Sequence, residues 1–314
     1  MTPFVRGLHR RCRALLPGDQ VTGATDRWHR WLTDVRFGGD AAHRERELTE
    51  FLYPVRDAVL DGARLAPGQT VLDVGTGDGL VGFGALDRVA PDGRVIFSDI
   101  SADLLDRCRT IAAAEGVANR CEFVLAAADR LDGIPDASAD AVTTRSVLIY
   151  VKDKLAALRE FRRVLRPGGR MSLFEPVNVL MSLADPDLFF GYDVTPVRAL
   201  AARVDAVYQA IQPPGDDPML DFDDRDLVRL AQLAGFPDVK LELKVRVRAR
   251  REPTPWDRFL RTSGNPLIPT FAEALEQSLN PQETAELTNH LRPLVEAGTG
   301  LDRTALAYLT AVSD

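Results

Sequence analysis

Between Val71 and Gly79 the chain reads VLDVGTGDG, an apolar run that carries Asp73 and then gives way to glycine at 75, 77 and 79. A strand buried on both faces is apolar almost without a break. Glycine costs backbone entropy, so three of them at alternate positions mark a place where the chain must turn sharply or leave its backbone bare. The stretch predicts a strand over Thr70–Val74, a loop without side chains and a helix over Leu80–Val89. The alternation then continues. Strands are expected over Arg94–Asp99, Cys121–Leu125 and Ala139–Arg145. One helix carries Leu104, Leu105, Cys108, Ile111 and Ala112 on a single face, and another is marked by Leu155, Leu158, Phe161 and Leu165. That second helix stops at RPGG, Arg166–Gly169, and a strand follows over Arg170–Glu175. Strands separated by helices imply a parallel sheet with right-handed crossovers.

Beyond Glu175 the pattern breaks. Residues 176–222 hold no clear strand, with helix-like spacing over 197–211; a helix resumes at Asp224–Ala234, Val239–Arg250 alternates as a long strand, and Thr304–Val312 closes the chain as another. The 314 residues suffice for a large core, and 45% apolar with 27% charged residues is the balance of a globular protein. A net charge of −7 gives a nucleic-acid partner no electrostatic support. No apolar run is long enough to span a bilayer. Cys12, Cys108 and Cys121 lack metal or disulfide spacing, so a reducing, cytoplasmic setting is expected. The basic N-terminus, MTPFVRGLHRRCRALLPGDQ, reads as a surface helix, with a membrane-touching arm as the lesser reading.

Three readings compete for DVGTGDG: a plain strand-to-helix turn, the dinucleotide fingerprint GxGxxG, and the S-adenosylmethionine loop DxGxGxG. Register separates the last two. The dinucleotide pattern counted from Gly75 needs glycine at 80, where Leu80 stands; the third glycine is Gly79. Asp99 ends the second strand in VIFSDIS. It is placed to accept both hydroxyls of a ribose, with Ile100 beside it as a face for adenine, while Ser101 is the better cap for the next helix.

VLDVGTGDGL, VIFSDIS, IPDASADAVTTRSVLIYV and LREFRRVLRPGGRMSLFEP, taken in order, resemble the successive motifs of class I S-adenosylmethionine-dependent methyltransferases over roughly residues 68–176. The resemblance implies an α/β, Rossmann-like, doubly wound seven-stranded sheet of order 3-2-1-4-5-7-6 with strand 7 antiparallel, plus a mostly helical cap. Residues 1–67 would be an N-terminal helical lid, 68–175 the cofactor-binding core, 176–222 a cap insert, 223–252 core again, 253–302 a second cap insert, and 303–314 the final core strand. It implies S-adenosyl-L-methionine as cofactor, with Asp73, Gly75, Thr76, Gly77 and Gly79 around the methionine moiety and Asp99 and Ile100 on ribose and adenine. Ala128, Asp129 and Arg130 would lie near the adenine amino group, Arg145 and Ser146 by the methionine and sulfonium, and Tyr53 on the lid side. Arg145 is unusual beside a cation; the cofactor carboxylate or an anionic substrate are its alternative partners.

Methyl transfer from a sulfonium is an in-line displacement in which the protein supplies orientation and a dry site. A general base is needed only for a protonated nucleophile. Glu175, Tyr150 and His43 are the candidates, and three roles are open to Glu175: substrate binding, proton acceptance, or capping. The apolar stretches VLMSL, Val179–Leu183, and FFGYD, Phe189–Asp193, suggest a hydrophobic or aromatic small-molecule acceptor, with secondary metabolism as its setting, unless they are the cap's own core. A homo-oligomer is compatible with all of this. The rival reading is a protein that binds the cofactor without methyl transfer, as a regulator, a scaffold or a repurposed fold.

Overall fold

The computed structural model of the protein describes residues 26–181, 185–213, 215–250 and 252–314. The basic N-terminal stretch, with His9 and Cys12, lies outside the described residues. Seven strands form one sheet: β1 Thr70–Val74, β2 Arg94–Asp99, β3 Cys121–Leu125, β4 Ala139–Arg145, β5 Leu165–Pro176, β6 Asp238–Ala249 and β7 Leu301–Val312. Their order is β3-β2-β1-β4-β5-β7-β6, with β1 to β5 mutually parallel and β7 antiparallel to both of its neighbours. The first four match the expected bounds residue for residue. Strand β5 begins earlier than expected because Leu165 already pairs with Ala139 across an irregularity in the ladder.

Strand β1 shows why the apolar run reads as it does. Val71 faces the layer formed by helices α3 (Tyr53–Ala63), α4 (Leu80–Arg88) and α5 (Ala102–Ala114), while Leu72 and Val74 face α6 (Lys154–Val164) and α9 (Asp224–Leu233). Both faces are covered, so neither needs polar residues. Each crossover helix starts on a side-chain cap where the sequence offers one. Ser101 Oγ accepts from Leu104 N, Asp153 from Ala156 N, and Asp223 from Asp226 N in a capping box.

Two further layers meet at the carboxyl ends of the parallel strands. The N-terminal segment runs through α1 (Arg27–Arg30) into a π turn, Trp31–Val35, then α2 (Ala41–Glu47) and a second π turn, Leu48–Leu52, that leads into α3. The cap is built from α8 (Arg198–Ile211), α10 (Trp256–Arg261), α11 (Phe271–Ser278) and α12 (Pro281–Ala297), which follow the short α7 (Asn178–Met181). Residues 176–222, expected to lack strands, contain a two-residue hairpin, Leu188–Phe189 against Tyr192–Asp193. Its turn residues, Phe190 and Gly191, both have positive φ, as a tight hairpin needs, and a Cβ on Gly191 would come within 2.1 Å of Leu301 O. Among the described residues no helix is long and apolar enough to cross a membrane.

Candidate functional site

The loop after β1 is held from beneath by a buried carboxylate. Asp73 Oδ2 accepts from Thr76 Oγ1 (2.6 Å) and Gly82 N (2.9 Å), and its Oδ1 accepts from Thr143 Oγ1 on β4 (2.8 Å). Burial pushes this carboxyl up to about 6 against the pull of those three donors. Gly75, Gly77 and Gly79 all have positive φ, a region that costs a residue with a Cβ about 1–2 kcal/mol. A Cβ on Gly75 would meet Val147 Cγ2 at 2.4 Å, and one on Gly77 would crowd Leu32 Cδ1 at 3.3 Å. The loop is thus bare because the neighbouring loop and the N-terminal segment both close over it.

The loops after β2, β3 and β4 extend the same surface. Asp99 Oδ2 accepts from Gly77 N (2.8 Å) and Oδ1 from Ser101 N (2.9 Å). Burial raises its pKa, while the amides of Gly77, Ser101 and Ile100 act against the shift. Ile100 is 55% exposed and lines the cavity, an apolar side chain with nothing covering it. Ala128 and Asp129 follow on the loop after β3, Arg145 at the end of β4 and Ser146 just beyond it. Ser146 adopts φ +57°, held there as its N–H donates to Phe174 O (2.8 Å).

Together these loops wall one cavity of about 510 Å³, within the size range of small-molecule sites. Gly75, Gly77, Asp99 and Ile100 line one part of it, and Phe51, Ile149, Phe174, Met219 and Leu306 make another part apolar. The N-terminal segment closes the cavity with Trp28, Trp31, Leu32 and Arg36. It is fastened at both ends of that contact. Ser101 Oγ donates to Asp26 Oδ2 (2.5 Å) beside Asp99, and Trp31 Nε1 donates to Ser263 O (3.1 Å) in the second insert. The first insert is fixed by Lys154, whose buried ammonium donates to Pro218 O (2.9 Å) and pairs with Asp221 (2.5 Å), setting Met219 at the cavity wall.

The structure brings Gly75, Gly77, Asp99, Ile100, Ala128, Asp129, Arg145, Ser146 and Tyr150 to this cavity, and directs other candidates elsewhere. Asp73 and Thr76 are spent on each other beneath the loop, and Gly79 caps α4 against Phe83 and Cys108. Arg130 turns outward to Asp132 (3.0 Å). Tyr53 packs beneath the Arg56 guanidinium, 4.7 Å from its ring, and Phe51 takes the lining position instead. His43 lies against Phe37 and does not line the cavity, and burial and Arg258 lower its pKa. Glu175 does not reach the cavity either. It is fully buried and accepts from Val147 N (2.9 Å), Leu148 N (2.9 Å) and Ile149 N (3.2 Å), capping the turn that carries Tyr150. Burial pushes it up to about 7.

The cap aromatics also need correction. Phe189, Tyr192, Trp256 and Phe271 form the core of the cap with Leu287 and Leu291, and none of them lines the cavity. Val179 and Leu180 are exposed; positions 182–184 lie outside the described residues. The apolar lining comes from residues that the sequence reading passed over: Trp28, Trp31, Leu32, Phe51, Met219 and Leu306. Trp28, Trp31, Leu32 and Arg36 do stand at helical spacing, so one face of an amphipathic segment was there to be read.

Residues 71–169 match the family model of a methyltransferase domain. The ubiquinone/menaquinone biosynthesis C-methyltransferase UbiE of Hahella chejuensis is 40% identical over 146 residues, which cover 45% of this chain and 55% of that protein. The protein of the same name from Pseudomonas putida is 42% identical over 138 residues, covering 42% and 52%. The chain spans about half the length of the curated relatives it matches. Among solved structures, the YcgJ protein from Bacillus subtilis aligns with a TM-score of 0.52 over 83% of this chain and 98% of that one, at 14% identity, which shows a shared fold.

Proposed function

We propose that this chain, whose residues 71–169 match a methyltransferase domain, is a class I S-adenosylmethionine-dependent methyltransferase that moves a methyl group to a small hydrophobic acceptor held under the cap. The observation that carries the reading is the single cavity that runs from the glycine loop past Asp99 and Ile100 to Phe51, Phe174, Met219 and Leu306. S-adenosylmethionine is the cofactor, and the site fits it at three points. Gly75 and Gly77 present bare backbone to the cavity, the Asp99 carboxylate on its wall suits ribose hydroxyls, and Ile100 offers an apolar face for a purine. The bound cofactor supplies an activated methyl whose bonding pair stays on sulfur.

The chain's own residues supply position and dryness. Trp28, Trp31 and Leu32 close the cavity on one side and the Met219 loop on another, which excludes water and strengthens every polar contact within. Among the described residues that line the cavity there is no His, Glu or Cys, its two carboxylates, Asp99 and Asp129, lie on the nucleoside side, and burial pushes Tyr150 up to about 12, so Tyr150 stays a neutral donor near pH 7. With no carboxylate, imidazole or thiol beside the acceptor, the site suits a nucleophile that arrives ionised. A cytoplasmic setting belongs to the same reading, since Cys108 and Cys121 are both free thiols, as a reducing compartment keeps them.

Calorimetry with S-adenosylhomocysteine and transfer of labelled methyl to a panel of apolar acceptors test this. Saturable binding of the nucleoside together with at least one labelled product is expected. Binding without any product would favour the rival role of a cofactor-binding protein, and binding of NADH in its place would overturn both.

A further inference from the structure

We infer that Arg36 and Arg145 form an anion subsite in this cavity, and that the methyl acceptor is an organic acid, an apolar body bearing an anionic oxygen group. This rests on the transferase reading and narrows its substrate class. The two arginines come from distant parts of the chain, one from the lid just after the first π turn and one from the end of β4, yet both line the same cavity. Most arginines in this protein that face a carboxylate take it. Arg56, Arg88, Arg163, Arg166, Arg248 and Arg258 all stand in ion pairs. Arg36 and Arg145, both half-buried, have no carboxylate within ion-pair distance among the described residues. Arg36 instead lies over the rings of Trp31 (5.3 Å) and Phe37 (5.2 Å), which hold its plane without neutralising it.

Two unpaired guanidiniums facing one cavity repel each other and cost desolvation free energy. Burial, with the Arg145 charge adding to it, brings Arg36 down to about 10, although Asp78, Tyr150 and Glu47, none of them within ion-pair distance, act the other way. Tyr150 completes the cluster as a neutral hydroxyl whose ring is set edge-on to Trp28 at 4.9 Å and which lies in the field of both arginines. The sulfonium cofactor does not relieve this charge. Its sulfonium and ammonium outnumber its single carboxylate, so binding it adds one net positive charge to a wall that carries Arg36, Arg145 and Lys152, the last paired with Asp216. The wall's two carboxylates, Asp99 and Asp129, lie on the loops after β2 and β3, on the nucleoside side of the cavity. An anionic acceptor supplies the charge that the arginine side lacks. Guanidiniums pair with carboxylates in a planar, two-bonded fork, which would also orient the acceptor for in-line attack.

The test uses matched pairs that differ in charge alone: benzoate against benzamide and 2-naphthoate against 2-naphthamide, titrated into the full chain with and without S-adenosylhomocysteine. The acids should bind at least about tenfold more tightly than the amides, as expected for charge-assisted hydrogen bonds. Arg36→Gln and Arg145→Gln should each erase most of that preference and leave amide binding within about twofold. Acids binding no better than amides in the wild-type protein, a comparison that needs no variant, would overturn the inference. So would a preference that survives both substitutions.

A second arm separates the two sources of a carboxylate. If the arginines serve only the cofactor, the variants lose S-adenosylhomocysteine, keep 5′-methylthioadenosine, which lacks the amino-acid part, and leave the acid preference untouched; that result also overturns the acceptor subsite. Acid preference without nucleoside binding would instead sink the transferase reading and leave the anion subsite standing.

Discussion

The end of the cavity proposed for the nucleoside and its apolar end are built in different ways. The first comes from the loops after β1, β2 and β3, pinned by hydrogen bonds to their own or the next strand. The apolar end comes from the lid, two inserts and the strands β5 and β7, so residues from 28 to 306 meet there. The first is specified by local backbone geometry, which tolerates few residue types. The second is specified by tertiary packing, which needs only apolar bulk of about the right size. A substitution at one end should therefore leave the other end's binding unchanged.

Asp99→Ala offers the sharpest break. Its two carboxylate oxygens would each lose a charge-assisted hydrogen bond to the ribose, worth about 1.5–3 kcal/mol apiece. Affinity for S-adenosylhomocysteine should fall by about a hundredfold or more, with helix content by circular dichroism retained and 2-naphthoate binding unaffected. Intact nucleoside affinity would mean that the second strand does not end at the ribose.

Phe271→Ala examines the cap from the other side. Phe271 is 2% exposed, and its ring packs on Phe189, Phe190, Trp256 and Phe259. Truncation should cost about 3–5 kcal/mol of stability, read by denaturant unfolding, while nucleoside affinity of the still-folded protein holds. If affinity falls and stability does not, the aromatics belong to the site and not to the cap's core.

Glu175 stands between the two ends, since it caps the turn carrying Ile149 and Tyr150. Glu175→Gln puts an amide NH₂ among three backbone donors, which should cost about 1–3 kcal/mol. Burial lifts Glu175 from 4.5 to about 7 and Asp73 from 3.8 to about 6. With folded values above unfolded ones, the native state holds the extra protons in that window. This contribution is complete below about pH 4 and is lost as pH rises through about 6 to 7. Melting temperature should thus decline from pH 5 to pH 8 in the wild-type protein and decline less in the Gln variant. A wild-type profile that is level over this range would contradict the burial of these two acids.

The same contrast explains what the sequence disclosed. Strands β1 to β4 were legible to the residue because glycine, proline and polar turns bound each apolar run. The glycine loop and Asp99 were legible because their geometry is local. The three roles of Glu175 stayed open because its partners are the amides of residues 147–149, and only the β4–β5 register, Arg145 against Phe174, brings them together. Strand alternation then sends Phe174 to the cavity and Glu175 away from it. Tyr53 came from the resemblance alone, and Phe51 went unread because helical spacing takes no account of a π turn. The turn over Leu48–Leu52 shifts the register by one residue, and with it the side chain that faces inward. Trp28 and Arg36 went unread because nothing in their neighbourhood says which surface they cover.

The smallest expected effect is also the most local test of the apolar end. Met219 is half-buried at the cavity wall, on a loop whose backbone is held by Lys154 at Pro218 O and by Asp217 at Met219 N, while the Met219 side chain packs on the core and accepts from Gln212 Nε2 (3.2 Å). Because the two backbone fastenings survive the change, Met219→Ala should remove apolar contact without moving the backbone. The loss should be about 1 kcal/mol, near a fivefold weakening of 2-naphthoate, with nucleoside affinity and melting temperature unchanged. A larger loss, shared by the nucleoside, would mean that the loop leans on the side chain after all, and that the two ends are coupled through the insert. Lys154→Met should then reproduce it, since it releases the same loop from beneath.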